Sequence, residues 1–270
     1  MKIIIFVFSG TGNTWFVAQC LQENLKAGGA FCDVISVETI NQCQQQIETA
    51  DIIGIGYPIY GSDMPEPITT FIKKMENHPN KRAFVYCTQM MYSGDGASIG
   101  GKLLRQKGFD VRQLAHFNMP NNKTDYPIFK WMKPPDYDRL KKRIMRKTKR
   151  FATAILTNKR KRKGDHLFGL LLGLLQRIPY RHEYQSFKNT IKIDQTCIGC
   201  SHCTELCPSG NLVMEDGVAK GLDKCVLCYR CVNHCPVNAI HFAKKSRVIT
   251  PYHGPTKDFD IEQLRKTRID

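Results

Sequence analysis

Eight of the twelve cysteines in this 270-residue chain lie in one short C-terminal segment. They form two runs of the pattern Cys-x2-Cys-x2-Cys-x3-Cys-Pro, offset from each other by 28 residues: Cys197, Cys200, Cys203 and Cys207, then Cys225, Cys228, Cys231 and Cys235. Dense, regular spacing of this kind indicates metal ligation rather than a disulfide framework. The residue types and their spacing therefore predict metal centres within residues 197–236.

This four-cysteine run is the pattern that binds [4Fe–4S] clusters, with the fourth cysteine of each run ligating the cluster of the other run. We therefore predict two clusters, one on Cys197, Cys200, Cys203 and Cys235 and the second on Cys225, Cys228, Cys231 and Cys207. The alternative is two zinc sites built from CxxC pairs. Zinc explains neither the third CxxC step nor the prolines at 208 and 236. Residues 191–243 resemble the bacterial two-[4Fe–4S] ferredoxin family, which implies a small α+β domain.

A second candidate site lies at the other end of the chain. A polar, glycine-containing loop follows the apolar run 2–8 and precedes a helical pattern; it consists of Ser9, Gly10, Thr11, Gly12, Asn13 and Thr14. Hydroxyls and amides at a helix N-terminus form a ready phosphate site. The loop has neither the GK[ST] of a Walker motif nor a G-x-G-x-x-G dinucleotide motif. The alternative is an ordinary strand-to-helix turn.

Alternating strand and helix patterns place this loop in a layered fold. Apolar runs predict five strands at 2–8, 31–37, 51–57, 82–88 and 111–117, with helices between them, notably at 66–76 and 97–108. Such alternation indicates a parallel sheet covered by helices on both faces. We expect a doubly wound α/β domain with a five-stranded sheet.

Two further loops should complete the site, because ligands of such sheets bind outside the carboxyl ends of the strands. They contain Pro58, Ile59, Tyr60 and Gly61 after the third strand, and Thr88, Gln89, Met90, Met91, Tyr92, Gly94 and Asp95 after the fourth. Each loop carries an aromatic side chain suited to flank a planar ring.

With these three loops, residues 1–118 resemble the flavodoxin family through the S-x-T-G-N-T loop and the helical positions Ala18 and Leu21. The resemblance implies FMN, with its phosphate on Ser9–Thr14 and its ring system between the two later loops. Tyr60 and Tyr92 are the expected stacking residues. The whole chain resembles the fused flavodoxin–ferredoxin proteins of anaerobic bacteria and archaea.

A basic segment joins the two parts. The formal net charge is +16, and residues 123–192 hold 20 Lys and Arg against 5 Asp and Glu. Since the surplus belongs to one connector, nucleic-acid binding is not expected.

We predict that this connector contains an amphipathic helix over 136–156, a solvated charge run at 159–163 and a short leucine run at 167–175. One interpretation of 139–178 is contact with a membrane surface or an acidic redox partner. The other is internal packing, with the leucines buried against the ferredoxin part.

The predicted divisions are an FMN-binding domain at 1–119, the basic connector at 120–190, a ferredoxin domain at 191–245 and a tail at 246–270. The N-terminus is predicted to be a strand rather than a signal peptide, and no run reaches the ~20 apolar residues that span a bilayer. We therefore expect a cytoplasmic protein.

Cys87 and the other scattered cysteines are expected to be buried hydrophobes. No histidine is assigned a role.

These features predict electron transfer between FMN and two [4Fe–4S] clusters within one chain, and onward to or from a redox partner protein. One alternative is an FMN-dependent reductase of an organic acceptor such as a quinone or nitro compound. Another is an accessory subunit docked on a membrane complex. The sequence does not specify the oligomeric state.

Overall fold

The computed structural model describes residues 1–40, 43–123, 125, 135–243 and 250–265. Its centre is a parallel sheet in the order β2-β1-β3-β4-β5-β6, whose strands are β1 Lys2–Val7, β2 Phe31–Ser36, β3 Ile52–Pro58, β4 Arg82–Gln89, β5 Asp110–Asn118 and β6 Lys161–Arg162. The doubly wound α/β fold is confirmed. The predicted strand count of five is wrong by one, because Lys161–Arg162 pairs with Gln113–Leu114 at the sheet edge. Part of the predicted charge run is thus a strand.

Helices cover both faces of this sheet. They are α1 Asn13–Ala27, α2 Gln44–Thr49, α3 Glu66–Lys74, α4 Gly96–Gln106 and α5 Tyr137–Leu156. On one face, α1 and α5 pack together over Phe84 and Phe117. On the other, Ile68 and Leu104 of α3 and α4 pack on the opposite side chains of the strands. Both faces of the central strands are therefore buried from solvent, which explains their continuous apolar sequences.

The basic helix α5 forms where its periodicity predicts. The Asp136 carboxylate caps it by accepting from the Arg139 backbone N–H at 3.0 Å. Leu140, Ile144, Phe151 and Ile155 are buried on α1 and the sheet, while most of the basic side chains are exposed on the opposite face. This part of the connector is a packed element of the first domain.

The leucine run begins a longer helix than its sequence suggested. Helix α6 spans Leu167–Phe187, starting at His166, whose Nδ1 accepts from the Gly169 N–H at 3.0 Å. Every leucine of the run except the partly buried Leu172 is exposed, so the interpretation that they pack against the ferredoxin part is wrong. Within the described ranges, no helix has the length and apolar character needed to cross a bilayer.

The C-terminal part is a small α+β unit with its own core. Its elements are β7 Ile191–Ile193, α7 His202–Leu206, β8 Leu212–Glu215, β9 Val218–Gly221, α8 Arg230–His234 and β10 Ile240–Phe242. Strand β10 pairs antiparallel with β7, and β9 with β8.

Part of the predicted connector (124 and 126–134) and part of the tail (246–249 and 266–270) lie outside the described residues. The tail also contains a 3₁₀ turn, Ile261–Leu264, packed on α1.

Candidate functional site

A cavity of about 630 Å³ opens at the carboxyl ends of β1, β3, β4 and β5. It lies where the strand order reverses between β1 and β3, the position at which doubly wound sheets bind ligands. Its volume falls in the range of about 300–1,000 Å³ typical of small-molecule and cofactor sites. Most of the loop residues predicted from sequence line it: Ser9, Gly10, Thr11, Asn13, Thr14, Pro58, Ile59, Tyr60, Gly61, Thr88, Gln89, Met90, Met91 and Tyr92.

The first loop is held by side chains from other strand ends. The Thr14 and Thr88 hydroxyls are 2.8 Å apart, and Thr11 Oγ1 accepts from the Asn122 amide at 3.1 Å. The Asn13 amide donates to the Pro120 carbonyl at 2.9 Å. Because Thr11 accepts this bond, its own hydroxyl hydrogen is available for an anion in the cavity. The loop is therefore preorganised at the N-terminus of α1, where the helix dipole favours negative charge.

The two predicted ring-contact tyrosines differ in environment. Tyr60 is buried, and its hydroxyl has no hydrogen-bond partner among the described residues. Burial, followed by the nearby Cys228 thiol, raises the Tyr60 pKa well above its usual range. Tyr92 is 41% exposed at the cavity mouth. A buried hydroxyl without a partner beside a cavity fits a polar ligand that supplies the missing bond.

Three predicted residues do not line the cavity. Gly12 has a positive φ of 91° and packs beneath the Phe259 ring. Gly94 lies against α6, and Asp95 forms an ion pair with Arg177 of that helix, Nη1 to Oδ1 at 2.6 Å. These residues shape the loops that surround the cavity, while the carboxylate of Asp95 is already paired.

Sequence reasoning missed two groups of lining residues. One is the loop after β5, Met119–Lys123, which the strand-end rule could have identified once β5 was placed. The other lies on α6 and comprises Leu175, Gln176, Pro179, Tyr180 and Glu183. No local signal identifies α6 as a cover for the site, because its position depends on packing against loops from distant parts of the chain.

Two small cavities in the C-terminal unit are each surrounded by four cysteines. Cys197, Cys200, Cys203 and Cys235 line one, and Cys207, Cys225, Cys228 and Cys231 line the other. The fourth cysteine of each run thus faces the first three of the opposite run, as the bacterial pattern predicts. In the described part of the chain, no three His, Cys, Asp or Glu side chains are placed to share a single metal ion. Each cavity has one complete set of four thiols among its lining residues.

Backbone amides point at these sulfurs. The amides of Asn211 and Ala239 each donate to the cysteine four residues earlier, at 3.2 Å, and Leu227 N–H lies 3.4 Å from Cys225 Sγ. Such bonds stabilise thiolate charge. Burial raises the pKa of Cys225 to about 12 and that of Cys228 to about 11, so these thiols are protonated without a metal. Loading of the site must therefore release protons.

The second cysteine cavity adjoins the first loop of the large cavity. A methyl group added at Gly10 would meet the Cys228 carbonyl oxygen at 2.5 Å, so only glycine permits this approach. Arg230 is fully buried, and its guanidinium donates to the carbonyls of Ser9 and Gly10 at 2.7 and 2.9 Å. The same guanidinium forms a bidentate pair with Glu38 at 2.6 and 2.8 Å. The two candidate sites are thus fastened together by one side chain.

Other potentially reactive groups stand apart from the cavities. Cys20, Cys32 and Cys87 are buried, and burial raises the pKa of Cys20 and Cys32 to about 12. Burial also raises the pKa of the Cys87 thiol, which rests in the apolar core of the sheet. These three cysteines have the environment of small hydrophobes.

Comparison with known proteins identifies both parts of the chain. A family model described as a flavodoxin domain matches residues 4–154, and one described as a 4Fe–4S dicluster domain matches residues 196–239. The first match covers more than half of the chain and ends at residue 154, within α5.

Curated relatives match mainly by short regions. A selenate reductase subunit of Mesobacillus selenatarsenatis is 28% identical over 109 residues, which are 36% of this chain and 37% of that protein. An uncharacterized ferredoxin of Methanocaldococcus jannaschii is 30% identical over 92 residues, 28% of this chain and 53% of that protein. The chain thus spans only about a third to a half of these relatives. A solved flavodoxin from the domain Archaea is 18% identical, covers 58% of this chain and 99% of its own, and has a TM-score of 0.43.

Proposed function

The chain belongs to the flavodoxin domain family and has a 4Fe–4S domain C-terminal to the flavodoxin domain, and we therefore propose that it transfers electrons within one molecule between FMN and two [4Fe–4S] clusters. It would then exchange these electrons with a separate redox protein. The observation that carries the proposal is the contact of Cys228 and Arg230 with the Ser9–Gly10 backbone. That contact joins the loop of one candidate cofactor site to the ligand set of the other.

The residues present fit both groups. Ser9–Thr14 would hold the FMN phosphate, and Tyr60 and Tyr92 would flank the ring. Three cysteines of one run and the fourth of the other would hold each cluster. FMN when bound supplies exchange of one or two electrons, which suits a junction with one-electron clusters. The protein's part is to bind, orient and shield these groups.

Shielding is visible on two sides of the cavity. Helix α6 covers it with Pro179 and Tyr180, and Tyr60 closes its floor beside Cys228. The second cysteine cavity is also shielded from water, since Cys225, Cys228 and Cys231 are all buried. Low water access favours electron transfer over side reactions and adjusts the cluster potential.

Anaerobic purification with iron, sulfide and flavin analysis tests the proposal. Two four-iron clusters and one flavin require about eight irons, eight sulfides and one FMN per chain. Reduced protein should give the EPR signal of interacting [4Fe–4S]⁺ clusters. Zinc in place of iron, or the lack of flavin in protein loaded with an excess of FMN, would exclude it.

A second candidate function is reduction of an organic acceptor such as a quinone or nitro compound. It is favoured by the cavity's open mouth, where Met91 is 69% exposed, and by the Glu183 and Lys123 side chains among the lining residues. Steady-state assays with dithionite-reduced protein distinguish the two functions. Saturable turnover that is lost in Glu183→Gln would favour the reductase. Electron exchange with ferredoxins that requires no organic acceptor would favour electron transfer between FMN, the clusters and a redox protein.

A further inference from the structure

Helix α6 presents an apolar face to solvent on the first half of its length. Six large side chains on this surface are more than half exposed: Leu167, Phe168, Leu171, Leu174, Leu175 and Ile178, at 72, 67, 56, 52, 70 and 66%. We call this surface the α6 outer face. It spans twelve residues, or about 18 Å of helix at 1.5 Å per residue. Continuous exposed apolar surface of this kind marks an interaction site.

The opposite side of the helix is held tightly to the first domain. A methyl group at Gly94 would meet the Gly173 nitrogen at 2.5 Å and the Gly169 carbonyl oxygen at 2.6 Å, so the helix backbone touches the Gly94 loop directly. The Arg177 guanidinium pairs with Asp95 at 2.6 and 3.1 Å and donates to the Ser62 carbonyl at 3.0 Å. Rotation that would bury the leucines would break this packing, so the outer face is a fixed, convex surface.

Strong positive charge precedes the α6 outer face along the chain. The run Lys159–Lys163 ends four residues before Leu167, and Lys159, Arg160, Lys161 and Lys163 are exposed. The pairing of β6 with β5 fixes this run at the sheet edge. Asp165, between the run and the helix, is paired with Arg105 and Arg162 at 3.4 and 3.3 Å. Its negative charge is therefore already compensated.

We propose that the α6 outer face and the Lys159–Lys163 run dock together on an anionic lipid bilayer surface. Leucine and phenylalanine on a helix lying in the interface plane enter the boundary between headgroups and acyl chains, while neighbouring lysines and arginines attract anionic lipid. The helix lies on the membrane without crossing it. Because α6 also covers the large cavity, docking brings the mouth of that cavity close to the lipid surface.

Charge disfavours a second copy of the chain as the occupant. A two-fold interface places the same surface on both partners, so two α6 outer faces in contact would bring two Lys159–Lys163 runs towards each other. An acidic groove on another protein could satisfy the charges. It would also have to enclose a convex row of six large apolar side chains, whereas a fluid bilayer accepts them without a matching shape.

Vesicle sedimentation with the full-length, anaerobically purified protein tests the proposal. We expect at least tenfold stronger partitioning to phosphatidylcholine vesicles containing phosphatidylserine than to pure phosphatidylcholine, and weakening at high salt because the lipid charge is screened. Substitution of Leu171→Gln with Leu174→Gln should reduce binding at least tenfold. The matched control is Phe31→Gln with Val213→Gln, which alters two exposed apolar side chains elsewhere and should leave binding unchanged.

A second variant tests the charges independently of the leucines. Lys159, Arg160, Lys161 and Lys163 are all changed to Gln, and the control changes Lys26, Lys73, Lys74 and Lys102, four exposed lysines on other elements. The first set should abolish the preference for anionic lipid, and the control should retain it. Equal behaviour of each variant and its control, or no binding of the wild type, would overturn the proposal. So would a leucine-dependent dimer without vesicle binding, which would assign the face to a second copy.

Discussion

At the scale of single residues, the Arg230 side chain joins the two halves of the chain. It lies within the second cysteine run, between Cys228 and Cys231, yet all but one of its hydrogen-bond partners among the described residues belong to the first domain. These are Ser9, Gly10 and Glu38, and the other is the Leu206 carbonyl. Burial lowers the pKa of a guanidinium, but here the charge and hydrogen bonds of Glu38, together with Cys228 and Tyr60, raise the Arg230 pKa above its ordinary value. The group therefore remains charged, and each partner depends on it.

Replacement of Arg230 should destabilise the protein strongly. In Arg230→Met, the Glu38 carboxylate and three carbonyls lose this donor inside the fold, and breaking such a buried pair typically costs about 3–5 kcal/mol. The measurement is the free energy of unfolding by urea under anaerobic conditions. Arg181→Met is the control, because its ion pair with Asp63 is 69% exposed on the arginine side and is worth at most about 1 kcal/mol. Equal losses in the two variants would contradict the assignment.

His116 gives the stability a dependence on pH. It is fully buried, its Nε2 accepts the Ala97 N–H at 3.2 Å, and burial with Lys163 and Lys147 lowers its pKa from 6.5 to about 4. Between these values the unfolded chain binds a proton that the folded protein does not. Stability from this group is therefore complete above pH 6.5 and is lost progressively as the pH falls towards 4, by at most about 3 kcal/mol.

His116→Gln tests this dependence, since glutamine can accept a hydrogen bond but does not titrate in this range. The variant will lose some stability at every pH. The difference in unfolding free energy between wild type and variant should shrink as the pH is lowered from 7 to 4.5. A difference that stays constant over this range would show that His116 titrates normally in the folded state.

At the scale of elements, α6 determines how open the large cavity is. Its inner face meets the loop after β4 through small residues, and a side chain at Gly173 would overlap the Asp95 carboxylate. The Gln176 side chain also forms a hydrogen bond with Ser62, and its amide lies 3.3 Å from the Tyr92 carbonyl. The helix can cover the cavity only because its backbone approaches this closely.

Gly173→Leu should therefore lift α6 from the cavity and weaken FMN binding. We expect the FMN dissociation constant to rise about tenfold or more, which corresponds to about 1.4 kcal/mol. Fluorescence titration of the apoprotein measures it, with Leu174→Ala on the exposed side of the helix as the control. Unchanged affinity in Gly173→Leu would mean that α6 does not contribute to cofactor retention.

At the scale of the whole molecule, the two parts share hydrophobic cores. Val226 and Cys228 pack with Tyr60 and Ile68 on one face of the sheet, and Leu206 packs with the α1 side. Two independently moving domains would not bury each other's side chains in this way. The cofactor sites are consequently held at a fixed separation, whichever protein supplies or receives the electrons.

The strong positive charge of the molecule should govern its encounters with partners. With 40 Lys and Arg against 24 Asp and Glu, we expect the second-order rate of electron exchange with an acidic ferredoxin to fall roughly tenfold or more between 10 mM and 300 mM salt. Stopped-flow absorbance measures this rate. With a basic partner such as cytochrome c the salt dependence should have the opposite sign, and the same sign for both partners would contradict electrostatic steering.

The amino-acid sequence by itself determined the features that depend on local spacing. The two cysteine runs, the Ser9–Thr14 loop and the strands β1 to β5 could be predicted because ligand spacing, turn chemistry and apolar runs are properties of neighbouring residues. Most of the loop residues expected at the large cavity also followed from them, because parallel strands bring their carboxyl ends to one edge. The ligand and role assigned to each residue there stay predictions.

Only the tertiary structure decided the features that depend on packing between distant segments. The side chain of Arg230 reaches Ser9 across more than two hundred residues, Asp95 is taken by Arg177, and α6 covers the cavity while exposing its leucines. No pattern among neighbouring residues predicts these contacts, since the sequence around a buried arginine can look the same as the sequence around an exposed one. Packing between distant segments decides whether such an arginine is buried or exposed. It also brings the polar loop and the cysteine runs into one connected site.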